Sequence, residues 1–176
     1  MNTVDLALLI LRLTVGLTFA AHGAQKVFGW WGGPGYQGWQ GAMSQMGFKP
    51  AGLFAAISAG VELIGGLALA LGLLTPIAGA ALIAQSVVIV GQVHWRNGFF
   101  STKGGYEFPL TLGVAVAAIV LIGAGAWSMD AAIGFTVSAS ARIGLIALGM
   151  AAGVIALAVP RIEAYASSTD NPTAKA

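Results

Sequence analysis

The stretch AGLFAAISAGVELIGGLALALGLL, residues 51–74, decides the fold. Its only ionisable side chain is Glu62, and its only hydroxyl belongs to Ser58. The hydrocarbon core of a bilayer is about 30 Å thick, so a helix needs roughly 20 apolar residues to cross it. The apolar residues run continuously rather than in alternation, which excludes a membrane β-strand. We therefore predict a membrane-spanning helix.

Four other stretches share this character, at residues 6–28, 76–95, 108–126 and 143–159. Hydrophobic residues make up 57% of the 176-residue chain and charged residues only 8%, whereas soluble domains carry roughly 25% charged residues. Because so few charges could not cover a soluble globule, that class is excluded. The predicted fold class is all-α: a polytopic transmembrane helical bundle with four core spans and a fifth.

The chain divides by composition into three parts. Residues 1–131 hold the four-helix membrane domain, residues 132–160 form a linker and the fifth transmembrane helix, and residues 161–176 form a disordered polar tail. Residues 1–5 lack the cationic segment of a signal peptide, so we expect the first span to be retained. The lipid bilayer is thus the expected surrounding of most of the chain.

Polar and aromatic loop residues collect on one side of the predicted bundle. Consecutive spans cross in opposite directions, so loop one (29–50) and loop three (96–107) share a side, called the loop face below. The turn on the other side, at Thr75 and Pro76, carries no charge. The excess of Lys and Arg on the loop face and tail predicts that both lie in the cytoplasm.

A short helix is predicted within loop one. Tyr36, Trp39, Met43 and Met46 recur at helical spacing, with polar residues elsewhere on the helical wheel. We expect this helix to lie in the membrane interface, with its aromatic rings at the headgroup level. It serves either as a simple lid and anchor or as a lid over a ligand.

Two charges, Arg12 and Glu62, interrupt otherwise apolar spans. Each costs about 2.5 to 3.5 kcal/mol on insertion scales, so such residues usually face a partner or a cavity. A buried ion pair between Arg12 and Glu62 is the leading prediction. The alternatives are a proton or ligand role for Glu62, and an Arg12 that extends towards the membrane surface.

A candidate binding site for a polar headgroup lies on the loop face. His22, Gln25 and Lys26 share one face of the first helix, and Asn97 and Glu107 flank loop three. Aromatic residues that could flank a ring complete the predicted set: Trp30, Trp31, Phe99 and Phe100. Together these groups could hold a quinone headgroup, or they could be loop caps and interface anchors.

Several other kinds of chemistry are not expected. The chain contains no cysteine, which excludes thiol catalysis, disulfides and thiolate metal sites. The two histidines are not spaced as metal or haem ligands usually are, so no such site is predicted. No nucleotide-binding motif is present in the sequence. The net charge of +2 comes from scattered residues, so we expect no nucleic-acid partner.

Six short sequence strings follow one another along the chain: HGAQKVFGWWGG at 22–33, VELIGG at 61–66, LLTP at 73–76, NGFF at 97–100, GGYEF at 104–108 and WSMD at 127–130. Through these strings the chain resembles the DoxX family of small bacterial membrane proteins. The strings occur in the family's order and spacing over residues 5–131. The fifth hydrophobic segment and the tail extend beyond the familiar four spans.

The resemblance implies a multi-pass protein of the bacterial inner membrane, related to the DoxD subunit of thiosulfate:quinone oxidoreductase. It implies an oxidoreductase subunit that supports quinone-linked chemistry or an oxidative-stress redox complex. We expect no covalently bound cofactor, quinone as the candidate ligand, and a redox enzyme as partner that supplies the electrons. The alternatives are a non-catalytic scaffold that recruits such an enzyme, and a small-molecule or proton conductor that uses Glu62. The sequence leaves the oligomeric state open.

Overall fold

The computed structural model describes the backbone of residues 2–169 and the side chains of residues 2–160. Within these residues the chain forms helices and no β-strand: α1 (Thr3–Phe28), α2 (Gly35–Gln45), α3 (Ala51–Leu71), α4 (Thr75–Asn97), α5 (Glu107–Ile122), α6 (Met129–Ala132) and α7 (Ala139–Thr169). Helices α1, α3, α4 and the part of α7 up to Pro160 are long and apolar enough to cross a membrane. The predicted all-α membrane bundle is confirmed.

The fourth and fifth predicted spans differ in length from expectation. Helix α5 has only 16 residues and ends at Ile122, before the predicted end at residue 126. It ends there because Gly123 and Gly125 adopt positive φ angles of 102° and 79°, which do not continue a right-handed helix. Helix α7 starts earlier than predicted and continues to Thr169, because residues 161–166 are mostly good helix formers. Residues 170–176 of the predicted tail lie outside the described residues.

Glycines bring α1 and α3 into backbone contact. A Cβ added to Gly16 would lie 2.5 Å from the Ala70 nitrogen, and one added to Gly23 would lie 2.3 Å from the Leu63 nitrogen. Only residues without a side chain allow two helices to approach so closely. These contacts fix the antiparallel register of the two helices and thereby the level at which each polar side chain lies.

This register contradicts the predicted ion pair between Arg12 and Glu62. With Gly23 beside Leu63, Glu62 lies opposite residue 24 of α1, and Arg12 lies about 18 Å further along the axis at about 1.5 Å per residue. Glu62 pairs with Lys26 instead. The prediction failed because it estimated the position of each residue across the membrane from the ends of the apolar stretches. The glycine contacts between α1 and α3 set those positions instead.

Arg12 belongs to a separate polar cluster at the opposite end of the bundle. Its fully buried guanidinium donates a 2.6 Å hydrogen bond to the Trp127 carbonyl oxygen. Asp130 nearby accepts hydrogen bonds from the backbone nitrogens of Leu74, at 2.6 Å, and Thr75, at 2.9 Å. Asp130 therefore caps the start of α4, and Arg12 ties α1 to the segment after α5.

Helix α4 lies at the centre of the bundle. Its Leu82 and Ile83 belong to a buried core shared with α1, α3 and α5, formed by Val15, Phe19, Leu69, Leu82, Ile83, Val116, Ile119 and Val120. On its other side α4 receives α7, where Gly149 lies against Ala80 and Gly153 against Val87. Helices α5 and α7 both pack along α4 but contact each other little, which leaves a groove between them.

Candidate functional site

A cavity of about 220 Å³ opens near the loop face, between α1, α3, α4 and α5 and beside α2. Its polar lining residues are His22, Lys26, Glu62 and His94. Its apolar and aromatic lining residues are Phe19, Trp39, Ile89, Val93, Phe108, Pro109 and Leu112. A small apolar cavity with a few convergent polar groups is the usual form of a ligand site.

An ion pair lies in the wall of this cavity. Lys26 Nζ is 2.6 Å from Glu62 Oε1, and the two side chains are 13% and 1% exposed. Gln85 Nε2 donates to the same oxygen of Glu62 at 3.0 Å and to Ser58 Oγ at 2.8 Å. Four polar side chains from three helices thus form one buried network around a single carboxylate oxygen.

Trp39 brings α2 into the site. The Lys26 ammonium lies 4.2 Å from the centre of the Trp39 ring, so the cation is held between that ring and the Glu62 carboxylate. Tyr36 donates a hydrogen bond to the Gly52 carbonyl oxygen, and Met43 is buried in a cluster against α3. Part of the predicted stripe of α2 therefore packs on the protein.

Two polar atoms of the lining residues are buried without a partner. Glu62 Oε2, a hydrogen-bond acceptor, and Trp39 Nε1, a donor, make no hydrogen bond within the described residues. Buried polar atoms are nearly always hydrogen-bonded, so such an exception needs an explanation. Both residues line the cavity, so a ligand there that offers an acceptor and a donor is a candidate partner for the two atoms.

Two π-helical turns shape the cavity walls. Residues Val61–Gly65 of α3 form one turn and contain Glu62. Residues Ile89–His94 of α4 form the other, and three of them line the cavity. A π-helical turn widens the helix by one residue and is frequently found at functional sites. Here both turns lie beside the same cavity.

The two histidines stand at the outer part of the cavity. His22 makes an edge contact with the Phe108 ring, with the ring centres 5.9 Å apart. His94 Nδ1 lies 2.6 Å from the Gly104 carbonyl oxygen, which only accepts, so His94 carries its proton on Nδ1. His94 Nε2 and the ring nitrogens of His22 are thus further hydrogen-bonding groups at the cavity.

The structure separates the predicted headgroup site. Of its nine residues, only His22 and Lys26 line the cavity. Asn97 donates to the Gly104 carbonyl oxygen, and Glu107 accepts from the Ser101 backbone nitrogen, so these two residues brace loop three. This is the loop-cap alternative of the sequence analysis. The remaining members do not line the cavity: Gln25, Trp30, Trp31, Phe99 and Phe100.

Three members of the site, Gln85, His94 and Trp39, were not predicted to lie with Glu62. Gln85 was the available signal, because it and Ser86 are the only polar residues between positions 77 and 91. A lone amide in an apolar span usually finds a buried partner. Its partner on α3 depends on the helix register, which no periodicity in the sequence reveals.

Comparison with family models identifies the family of the chain. The DoxX model matches residues 7–95, which include all of α2 and α3 and most of α1 and α4. The chain belongs to the DoxX family. The searches of curated proteins and of solved structures each gave no match.

The DoxX match covers most of the residues that build the cavity. His22, Lys26, Trp39, Glu62 and His94 all lie within it, whereas Phe108, Pro109 and Leu112 lie beyond it. Helix α7 also lies outside the match. This DoxX chain is a small membrane protein with several apolar helices.

Proposed function

We propose that this DoxX protein is a membrane subunit of a quinone-linked redox system and binds the quinone headgroup in the cavity beside Lys26, Glu62 and Trp39. The observation that carries the proposal is the pair of unpartnered polar atoms, Glu62 Oε2 and Trp39 Nε1. A quinone carbonyl accepts a hydrogen bond, and a quinol hydroxyl donates one. The two redox forms thus match the two kinds of unpartnered atom.

The energetics of the ion pair also support a binding role. A buried ion pair is often no more stable than apolar residues of the same volume, so Lys26 and Glu62 are a poor device for stability alone. Ionisable residues inside membrane helices more often mark a ligand or proton site. Lys26 can share its ammonium protons between Glu62 and a ligand carbonyl, because an ammonium has three donors.

The proposed chemistry needs two electrons and two protons for each quinone reduced to quinol. Glu62, Lys26 and His22 are groups that can exchange protons beside the ring. The electrons are assigned to a partner redox protein, so the chain purified alone should bind quinone without turnover. Bacterial origin and an inner-membrane location belong to this same proposal.

A proton-conducting role for Glu62 has less support. Conduction requires a polar route across the bundle. The apolar core around Phe19, Leu82 and Val116 lies between the Glu62 network and the Arg12–Asp130 cluster at the other end. A scaffold without a ligand leaves the unpartnered atoms of the cavity unexplained.

The test is equilibrium binding of a short-tailed quinone to the full chain in lipid nanodiscs. Lys26→Met combined with Glu62→Gln removes both charges at nearly constant volume, and Lys103→Met is the matched control on an exposed lysine of the loop face. We expect the double variant to lose binding and the control to keep it. Equal binding by the folded double variant and the wild type would refute the site.

Trp39→Phe tests the unpartnered donor itself. It removes the indole N–H and keeps an aromatic ring, and Trp127→Phe at the opposite end of the bundle is its control. One hydrogen bond contributes about 0.5 to 1.5 kcal/mol, so the quinone should bind roughly 2- to 12-fold more weakly to Trp39→Phe. Unchanged affinity would show that Trp39 does not contact the headgroup.

A further inference from the structure

A second, larger cavity lies next to the headgroup cavity. It occupies the groove between α5 and α7, with α4 as its floor, and its volume is about 660 Å³. Val114 and Ala117 line it from α5, and Met150 and Val154 line it from α7. Helices α5 and α7 both lie outside the DoxX match, so both walls of the groove come from the part of the chain beyond that match.

The groove has the chemistry of a hydrocarbon site. Its lining is predominantly apolar, and its buried Ser86 donates to the Leu82 carbonyl oxygen of its own helix. Gln92, which also lines it, donates to the Met46 carbonyl oxygen. These two polar side chains are therefore already hydrogen-bonded, whereas Glu62 and Trp39 in the smaller cavity each keep one unpartnered atom.

The two cavities share one lining residue at the start of α5. Pro109 lines both of them, and the π-helical turn of α4 sends Val93 and His94 to one cavity and Val90 and Gly91 to the other. That turn and α5 contact each other little. From Trp95 near the loop face the groove extends to Ile83 near the middle of α4, a length of about 18 Å at about 1.5 Å per residue.

We propose that this groove holds the isoprenoid tail of the quinone whose headgroup lies in the smaller cavity, an inference that rests on the proposed function. The headgroup cavity, at about 220 Å³, has room for a ring but not for a long tail. The tail leaves past Pro109 and follows the groove towards the bilayer centre. The ligand class is accordingly a lipid-soluble quinone, and α7 serves to hold its tail.

The test compares quinones that carry the same ring and zero, one or two isoprene units. Their retention is measured by chromatography after equilibration with the full chain in nanodiscs, with empty nanodiscs as the blank for partition into lipid. The test variant is Val154→Trp, which fills the groove. The matched control is the adjacent Ile155→Trp, since Val154 and Ile155 are 61% and 68% exposed but only Val154 lines the groove.

We expect affinity to rise with tail length in the wild type and in Ile155→Trp. In Val154→Trp the two-isoprene quinone should bind roughly tenfold or more weakly than in the wild type, while the tail-free ring binds as before. Loss of about one methylene contact in an apolar pocket is enough for such an effect.

A tail-length dependence that Val154→Trp leaves unchanged would overturn the inference. So would equal binding of all three quinones to the wild type, although the headgroup site would then stand. Absence of binding for every quinone would overturn the proposed function and the inference together. Val154→Trp could instead release bound phospholipid without any change in quinone affinity. That result would assign the groove to a lipid acyl chain and would also overturn the inference.

Discussion

Replacing Lys26 by methionine should destabilise the protein strongly, and replacing Glu62 by glutamine in addition should restore it. In Lys26→Met the carboxylate of Glu62, 1% exposed, loses its countercharge and keeps only the hydrogen bond from Gln85. Breaking a buried pair by removing one partner costs about 3 to 5 kcal/mol. The remaining Gln85 hydrogen bond places the expected loss near the lower end of that range.

The double variant should behave differently because it buries no charge. Neutral replacements of similar volume are often no less stable than a buried ion pair, so Lys26→Met with Glu62→Gln should recover most of the loss. The free energy of unfolding can be measured by titration with dodecyl sulfate in mixed micelles, followed by circular dichroism. The interaction energy of the cycle should reach about 2 kcal/mol.

Arg12→Met provides the control for this cycle. Arg12 lies about 18 Å from the level of Glu62, so its effect should add to that of Glu62→Gln within about 0.5 kcal/mol. A Lys26→Met variant that loses less than about 1 kcal/mol would refute the reasoning, as would a double variant whose loss equals the sum of the two single losses.

Three further predictions concern packing, capping and topology. Gly16→Ala should lower the free energy of unfolding by about 1 to 3 kcal/mol, because the added Cβ would meet the α3 backbone. A Cβ added at Gly60 meets no atom within 4 Å, so Gly60→Ala should be neutral or stabilising. Equal losses in the two variants would contradict the close contact between α1 and α3. Asp130→Ala removes both acceptors at the start of α4 and should cost about 1 to 2 kcal/mol in the same assay; an unchanged free energy would show that the cap is dispensable. The chain has no cysteine, so a single introduced cysteine reports directly which side of the membrane it lies on. In intact cells an impermeant thiol reagent should label Thr136→Cys, and it should label Lys103→Cys only after permeabilisation. The reverse labelling pattern would show that the topology is inverted.

The membrane helices were predictable because the bilayer imposes a length and a composition. A span such as residues 51–74 must be continuous and apolar, and this requirement is visible in one sequence without knowledge of its neighbours. The end of α5 was less predictable, because Gly123 and Gly125 interrupt the helix inside a run that is still apolar. Hydrophobicity alone does not show where a backbone leaves the helical conformation.

The site was predicted only in part because its geometry depends on contacts between helices. His22 and Lys26 are close in sequence on one helix face, and they do line one cavity. Glu62 and Gln85 join them through the register that Gly23 fixes between α1 and α3 and through the packing of α4. The loop residues Asn97 and Glu107 had a local use in bracing loop three, which competes with a role in binding.

Photo-crosslinking tests the central claim most directly. A short quinone that carries an azido group on its ring is bound to the wild-type chain in nanodiscs, irradiated, and the labelled residues are identified by mass spectrometry. The cavity predicts labels around His22 to Lys26, on Trp39 and between Ile89 and His94, all suppressed by excess unlabelled quinone. Competed labels confined to loop three between Asn97 and Glu107, or labels on lipid-facing residues that excess quinone leaves unchanged, would contradict the claim that the headgroup lies beside the Lys26–Glu62 pair.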